Sequence, residues 1–256
     1  ILLPFVLRAR GLRIRHRVWV HVARGVLLAV ATLMFFTSLA VLPLADAIAI
    51  FFVEPLILTV LSAVFLGEPV GWRRLLAVAV GFIGALIIIR PSFAIFGPTA
   101  LLPLGTALAF AIYLVLTRLL VVAESTVTLQ FYAGVFGSLA MTVALWLGVV
   151  GDISVLTPAM PSARQWLLLA LMGLIATVGH QFVVLAIRRV GAGMVAPFQY
   201  MEIISATLLG MVLFDEFPDT ATWAGVGIIV GAGLYVYIRE RRRVASDDKA
   251  GEPPPV

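Results

Sequence analysis

Eight stretches of this chain are each long and apolar enough to cross a bilayer. They run roughly over residues 18–42, 44–66, 72–89, 99–121, 126–150, 165–187, 193–214 and 223–238. A transmembrane helix needs about 20 mostly apolar residues. Lipid offers no hydrogen bonds to the backbone, so such segments must be helices that satisfy their own N–H and C=O groups. The sequence is 62% hydrophobic and 12% charged. A soluble domain carries about 25% charged residues and about 45–50% apolar ones, so this chain has too little charge to cover a water-facing surface. The fold class expected is an all-α polytopic membrane protein.

The breaks between spans hold Pro, Gly or charge, including Pro43, Gly67-Glu68-Pro69, Arg90-Pro91, Gly151-Asp152 and Arg188-Arg189. Most connections are short, so neighbouring helices should pack antiparallel. Basic residues fall on alternate loops: the arginines at 8–17, Arg73 and Arg74, Arg118, Arg188 and Arg189, then the cluster at 239–249. The opposite side has only Arg90 and Arg164. The positive-inside rule makes the first side, and the C-terminus, cytoplasmic in an inner or plasma membrane. The same distribution explains the pI near 10.2 as a topology signal that meets anionic lipid head groups, with no need for nucleic acid. Residues 240–256 read as a solvated, disordered cytoplasmic tail.

One apolar run has an echo. Residues 51–69 read FFVEPLILTVLSAVFLGEP, and residues 199–218 read QYMEIISATLLGMVLFDEFP. Glu54 and Glu202 are 148 residues apart, as are Glu68 and Glu216. That spacing takes in an odd number of spans, so the second copy must cross the membrane the opposite way. An inverted repeat is a frequent architecture of secondary transporters, with the substrate near the midplane between repeats. The expected domains are residues 1–92, 98–239 and the tail. The chain starts at Ile1 without an initiator Met, and residues 1–7 read as the tail of a helix. By repeat symmetry about two spans would precede them, ten in all, so the first repeat is incomplete here.

A carboxylate in hydrocarbon costs at least a few kcal/mol, so Glu54 and Glu202 are the leading functional candidates. Pro55 follows Glu54 and frees a carbonyl from the helical ladder. Gln199 and Ser205 share a helical face with Glu202. If the two helices meet, the acids face each other as a proton relay or as a counter-charge for a cationic or polar solute. The alternative is a structural, hydrogen-bonded pair. His180, mid-span beside Gln181, suits proton transfer or solute binding, and equally suits a bond to a neighbouring helix. Thr106, Phe110, Tyr113 and Thr117 form one stripe. Interhelical packing explains it more economically than a solute path, although its aromatic faces would suit a planar or cationic ligand. Tyr200, Gln130 and Tyr132 are weaker candidates of the same kind. Asp46 is explained by the helix dipole. Glu68 and Glu216 read as boundary or cap residues, and Arg24 as a side chain snorkelling to lipid phosphates.

Several chemistries are excluded. Cysteine is absent and there are three histidines, and HExxH, GxSxG and phosphate-loop motifs are missing. No catalytic residue, metal or cofactor is expected, and movement of a solute would be driven by gradients.

Residues 39–91, LAVLPLADAIAIFFVEPLILTVLSAVFLGEPVGWRRLLAVAVGFIGALIIIRP, and residues 186–219, AIRRVGAGMVAPFQYMEIISATLLGMVLFDEFPD, resemble the drug/metabolite transporter superfamily. The likeness is to its EamA-type carriers, and it covers nearly the whole chain. It implies two inverted five-helix repeats, both termini cytoplasmic and a central cavity for a small-molecule solute. Family members carry amino acids, nucleoside-type metabolites, S-adenosylmethionine and riboflavin, in either direction. The expectation is therefore a secondary transporter that uses Glu54, Glu202, His180, Gln199, Tyr113 and Tyr200 along the substrate or proton pathway, with a homodimer as a further expectation. The competing expectation is a non-transporting membrane fragment or helix-packing partner.

Overall fold

The computed structural model describes residues 18–42, 44–68, 70–89, 101–153, 156, 160–214 and 219–250. The helices are α1 Val18–Ser38, α2 Leu44–Phe51, α3 Glu54–Leu66, α4 Trp72–Ile89, α5 Leu101–Val121, α6 Thr126–Val150, α7 Ala163–Val190, α8 Ala192–Val195, α9 Met201–Phe214 and α10 Thr220–Ala250. No strand occurs among the described residues. Helices α1, α5, α6 and α7 are each long and apolar enough to span a bilayer. All five tryptophans (Trp19, Trp72, Trp146, Trp166 and Trp223) are exposed and lie near helix ends. That is the aromatic belt expected at a membrane–water interface.

Two of the eight apolar stretches are broken near their middles. The first gives α2 and α3, and Pro55 is the cause. Its ring nitrogen has no hydrogen for the Phe51 carbonyl, and the next amide, Leu56 N–H, donates to Val53 at 3.1 Å instead of to Phe52. The Phe52 carbonyl is thereby released. The second span gives α8, a 3₁₀ turn at Ala196–Phe198 that contains Pro197, and α9. Gln199 and Glu202 amides reach back three residues, to Ala196 at 3.2 Å and Gln199 at 3.1 Å. Both breaks fall where the repeated sequence aligns.

Helix α1 packs on α5 and α6, α3 on α5, and α4 on α10. Gly25 lets α1 cross α6 closely, because a Cβ there would stand 2.8 Å from the Phe136 carbonyl carbon. One apolar core joins Val20, Leu58, Tyr113, Leu114, Leu129 and Ile187. A second joins Phe52, Val78, Ala85, Tyr200, Ile203 and Ile229.

Residues 240–250 continue α10 as helix, which differs from the disordered tail expected there. No Gly or Pro interrupts the sequence between Gly233 and Gly251, and its Arg, Glu, Lys and Ala residues favour helix intrinsically. Pro43, Glu216 and residues 1–17 and 90–100, to which other expectations refer, lie outside the described residues.

Candidate functional site

The two broken spans touch at their breaks. The Tyr200 hydroxyl donates to the carbonyl of Phe52, 148 residues away, at 3.1 Å, and the two rings lie 5.8 Å apart. The carbonyl released by Pro55 thus finds its donor in the other break. Gly81 of α4 makes room for this contact, since a Cβ there would stand 2.7 Å from the Tyr200 ring. Glu54 opens α3 beside this crossing and is fully buried. Neither carboxylate oxygen has a hydrogen-bond partner, nor does Nε2 of Gln199. Gln199 and Tyr200 are nonetheless the polar groups set against Glu54.

Glu202 lies elsewhere. It is exposed and borders a cavity of about 400 Å³ that Leu28, Thr32, Phe35, Phe36, Ile48, Phe51, Phe52, Thr106 and Phe110 also line. The phenylalanine rings meet in edge-on or tilted pairs about 6 Å apart, Phe35 on Phe51 and Phe51 on Phe110. A volume of this size suits a small organic solute. Aromatic faces with one carboxylate offer stacking to a planar ring and attraction to a cation. The structure does not set Glu54 and Glu202 against each other; Phe52 and Tyr200 occupy the meeting point instead.

A polar layer lies beyond Phe110. Its ring stacks on Tyr113 at 5.7 Å, and the Tyr113 hydroxyl is 2.5 Å from His180 Nε2. Tyr113 also accepts from Arg24 Nη2 at 3.2 Å. Arg24 Nε donates to Thr117 Oγ1 at 3.0 Å and Nη1 to the Leu129 carbonyl at 3.2 Å. The guanidinium lies 5.0 Å over the Tyr113 ring. Arg24 is fully buried, so the expectation that it snorkels to lipid is incorrect. Three acceptors from α5 and α6 hold it inside the bundle, and a planar fork with five donors accepts such a cage more readily than an ammonium would. The stripe on α5 therefore divides: Thr106 and Phe110 face the cavity, while Tyr113 and Thr117 face Arg24. Gln181 joins the layer to α6 by donating to Thr126 Oγ1 at 2.7 Å.

At the end of α3, Gly67 adopts a left-handed conformation (φ 62°) and the Glu68 amide returns to the Ser62 carbonyl at 3.3 Å. This Schellman-type turn is what glycine permits, and it turns the chain back over α8. Glu68 then accepts from Arg118 Nε at 3.0 Å and from the amides of Ala192 and Gly193 at 3.1 and 2.8 Å. Gly191, at φ +90°, is needed twice: for that backbone and because a Cβ would stand 2.5 Å from Glu68 Oε1. Glu68 is a boundary residue that caps a helix, as expected, but the helix belongs to the other half of the chain. Sequence reading missed this partner and the role of Arg24. The one available signal was His21, three residues before Arg24 on the same face.

An all-helical membrane protein with spans broken around polar groups, beside an aromatic cavity, is the architecture of a solute carrier. The EamA-like transporter family matches residues 1–90 and 97–238, and the chain belongs to that family, within the drug/metabolite transporter superfamily. It is 28% identical over 250 residues to the S-adenosylmethionine uptake transporter of Rickettsia prowazekii, covering 96% of this chain and 81% of that one. It is 31% identical over 247 residues to the riboflavin transporter of Rhizobium johnstonii, covering 94% and 78%. It is 29% identical over 234 residues to the pseudopaline exporter CntI of Pseudomonas aeruginosa, covering 91% and 80%. A crystal structure at 20% identity shares the fold, with a TM-score of 0.76 over 94% of this chain and 83% of that one. The chain is an integral membrane transporter for small solutes, and the family is one of transporters, not enzymes.

Proposed function

We propose that this protein is a secondary carrier for a small polar or aromatic metabolite, working by alternating access between two inverted five-helix repeats in the cell membrane. The observation that carries this reading is the aromatic cavity of about 400 Å³ beside the crossing of two broken spans. A purine or flavin ring is planar and would stack on Phe35, Phe51 and Phe110. A sulfonium or ammonium group would be drawn to Glu202 and to the ring faces. The relatives transporting S-adenosylmethionine and riboflavin support a solute with a flat heteroaromatic ring.

In this reading Glu202 recognises the solute and Phe110, with Tyr113 and His180 behind it, closes the cavity floor. Glu54, Gln199 and Tyr200 form the hinge, with Glu54 as carrier of a coupling proton. The two family matches, one on each side of residues 91–96, and the Tyr200–Phe52 bond between equivalent positions support two repeats that move against each other. The basic loops and C-terminus are cytoplasmic and rest on anionic head groups.

The test is uptake of S-adenosylmethionine and of riboflavin into proteoliposomes holding the purified protein, with and without a proton gradient. Glu202→Gln should weaken solute binding, raising KM ~10-fold or more, as expected when a charge pair loses one member. Glu54→Gln should abolish the response to the gradient while binding persists. An unchanged pH profile and unchanged kinetics in both variants would reduce the two acids to packing residues.

A further inference from the structure

Among the described residues, no carboxylate neutralises the charge of Arg24. It is fully buried, and its three hydrogen-bond acceptors are the Thr117 hydroxyl, the Leu129 carbonyl and the Tyr113 phenol, all neutral. Glu124 acts on His21, and no carboxylate among the described residues acts on Arg24. A guanidinium has five N–H donors, and these three bonds leave two unused. A buried cation without a counter-charge is expensive, and such groups inside a membrane bundle mark ligand or ion paths.

A second, independent observation points the same way. His21, on the same face of α1, is also fully buried, and neither of its ring nitrogens has a partner. The layer therefore holds more donor capacity than it uses, and no anion pairs with it among the described residues.

Its position relative to the cavity is defined by α1 and α5. Leu28, one turn beyond Arg24, lines the cavity, as does Phe110, which stacks on Tyr113. The Tyr113 ring is what stands between the cavity floor and the guanidinium. We propose that Arg24 is the docking point for an oxyanion, a carboxylate or phosphate, on the transported solute, and that the Tyr113 hydroxyl holds its place in the empty carrier. The inference rests on the carrier reading and narrows its solute class. The flat or cationic end lies among the phenylalanines near Glu202, and the anionic end passes Phe110, displaces the phenol from Nη2 and takes both Nη2 donors. Tyr113 then retains His180 as its partner.

Two pairs of compounds that differ by one oxyanion test this directly on the purified full-length protein by equilibrium binding. They are S-adenosylmethionine against its decarboxylated form, and riboflavin 5′-phosphate against riboflavin. Wild-type protein should bind the oxyanion-bearing member of at least one pair ~10-fold or more tightly, a gap of about 1.4 kcal/mol. Arg24→Gln should erase that gap while the oxyanion-free member still binds. Arg24→Lys, which keeps the charge but not the fork, should retain part of it. The wild-type comparison needs no variant to fold. Equal or tighter binding of the oxyanion-free member in each pair that binds would overturn this assignment and leave the carrier reading standing. So would a preference that survives in Arg24→Gln. Binding of none of the four compounds would overturn both.

Discussion

Tyr200 and Gly81 show how much of this protein's organisation rests on single atoms. The Tyr200 hydroxyl is the donor for a carbonyl that Pro55 has released inside an apolar bundle. Removing it in Tyr200→Phe leaves that carbonyl unpaired, which costs about 1–3 kcal/mol. Thermal unfolding in detergent should show the loss, and an unchanged midpoint would mean that water or another donor replaces the phenol. Gly81→Leu tests the same contact from the other side. Its Cβ would stand 2.7 Å from the Tyr200 ring, so the ring must move or α4 must retreat, at a cost of about 1–3 kcal/mol for overpacking. Gly231→Leu on α10 is the control, because nothing lies within 4 Å of a Cβ there; it should unfold at the wild-type temperature.

Among the helices, the two breaks and the Glu68 cap join the halves of the chain. Pro55→Ala restores an amide that can bond to Phe51 and favours one continuous helix across α2 and α3. The expected outcome is a protein that keeps or gains stability but loses transport, read as a lowered rate at saturating solute. Retained transport would show that the break is not the hinge. Glu68 binds the end of α3 to α5 and to the start of α8 through one cation and two amides. Glu68→Ala leaves Arg118 Nε and two backbone donors without an acceptor, while Arg118 Nη1 keeps the Ile187 carbonyl, and hydrogen bonds to a charged group contribute about 1.5–3 kcal/mol each. A destabilisation within that range, with Gly191→Ala giving a similar loss through clash and strained backbone, is expected in thermal unfolding. Independence of the two variants would contradict the shared contact.

Helices α1, α5, α6 and α7 were legible from apolar length alone, and the freed carbonyl from Pro55, because proline chemistry is local; the break into two helices after Phe51 was not read. That the acids are not equivalent was legible too: Glu54 lies deep in its span and Glu68 at its end. What could not be read is which side chains meet across helices. Arg24 reads as a boundary residue because its depth along α1 fits snorkelling. Only Thr117, Tyr113 and Leu129, supplied by α5 and α6, decide that it turns inward. Glu54 and Glu202 share a register in the two copies, yet the bulk of Phe52 and Tyr200 takes the contact that repeat arithmetic assigned to the acids.

For the whole molecule, the central claim is a carrier whose cavity accepts a flat heteroaromatic solute. The cavity and the Arg24 layer are separated by one stacked pair, Phe110 and Tyr113, so in the proposed carrier recognition and closure fall on neighbouring turns of α5. The most direct measurement is uptake of radiolabelled S-adenosylmethionine and riboflavin by proteoliposomes containing the full-length protein, scored against empty liposomes and the Glu202→Gln variant. Saturable uptake of at least one of them is expected, competed by its unlabelled form and weakened in the variant. Uptake no greater than in empty liposomes for both compounds, from protein that remains folded, would contradict the carrier reading.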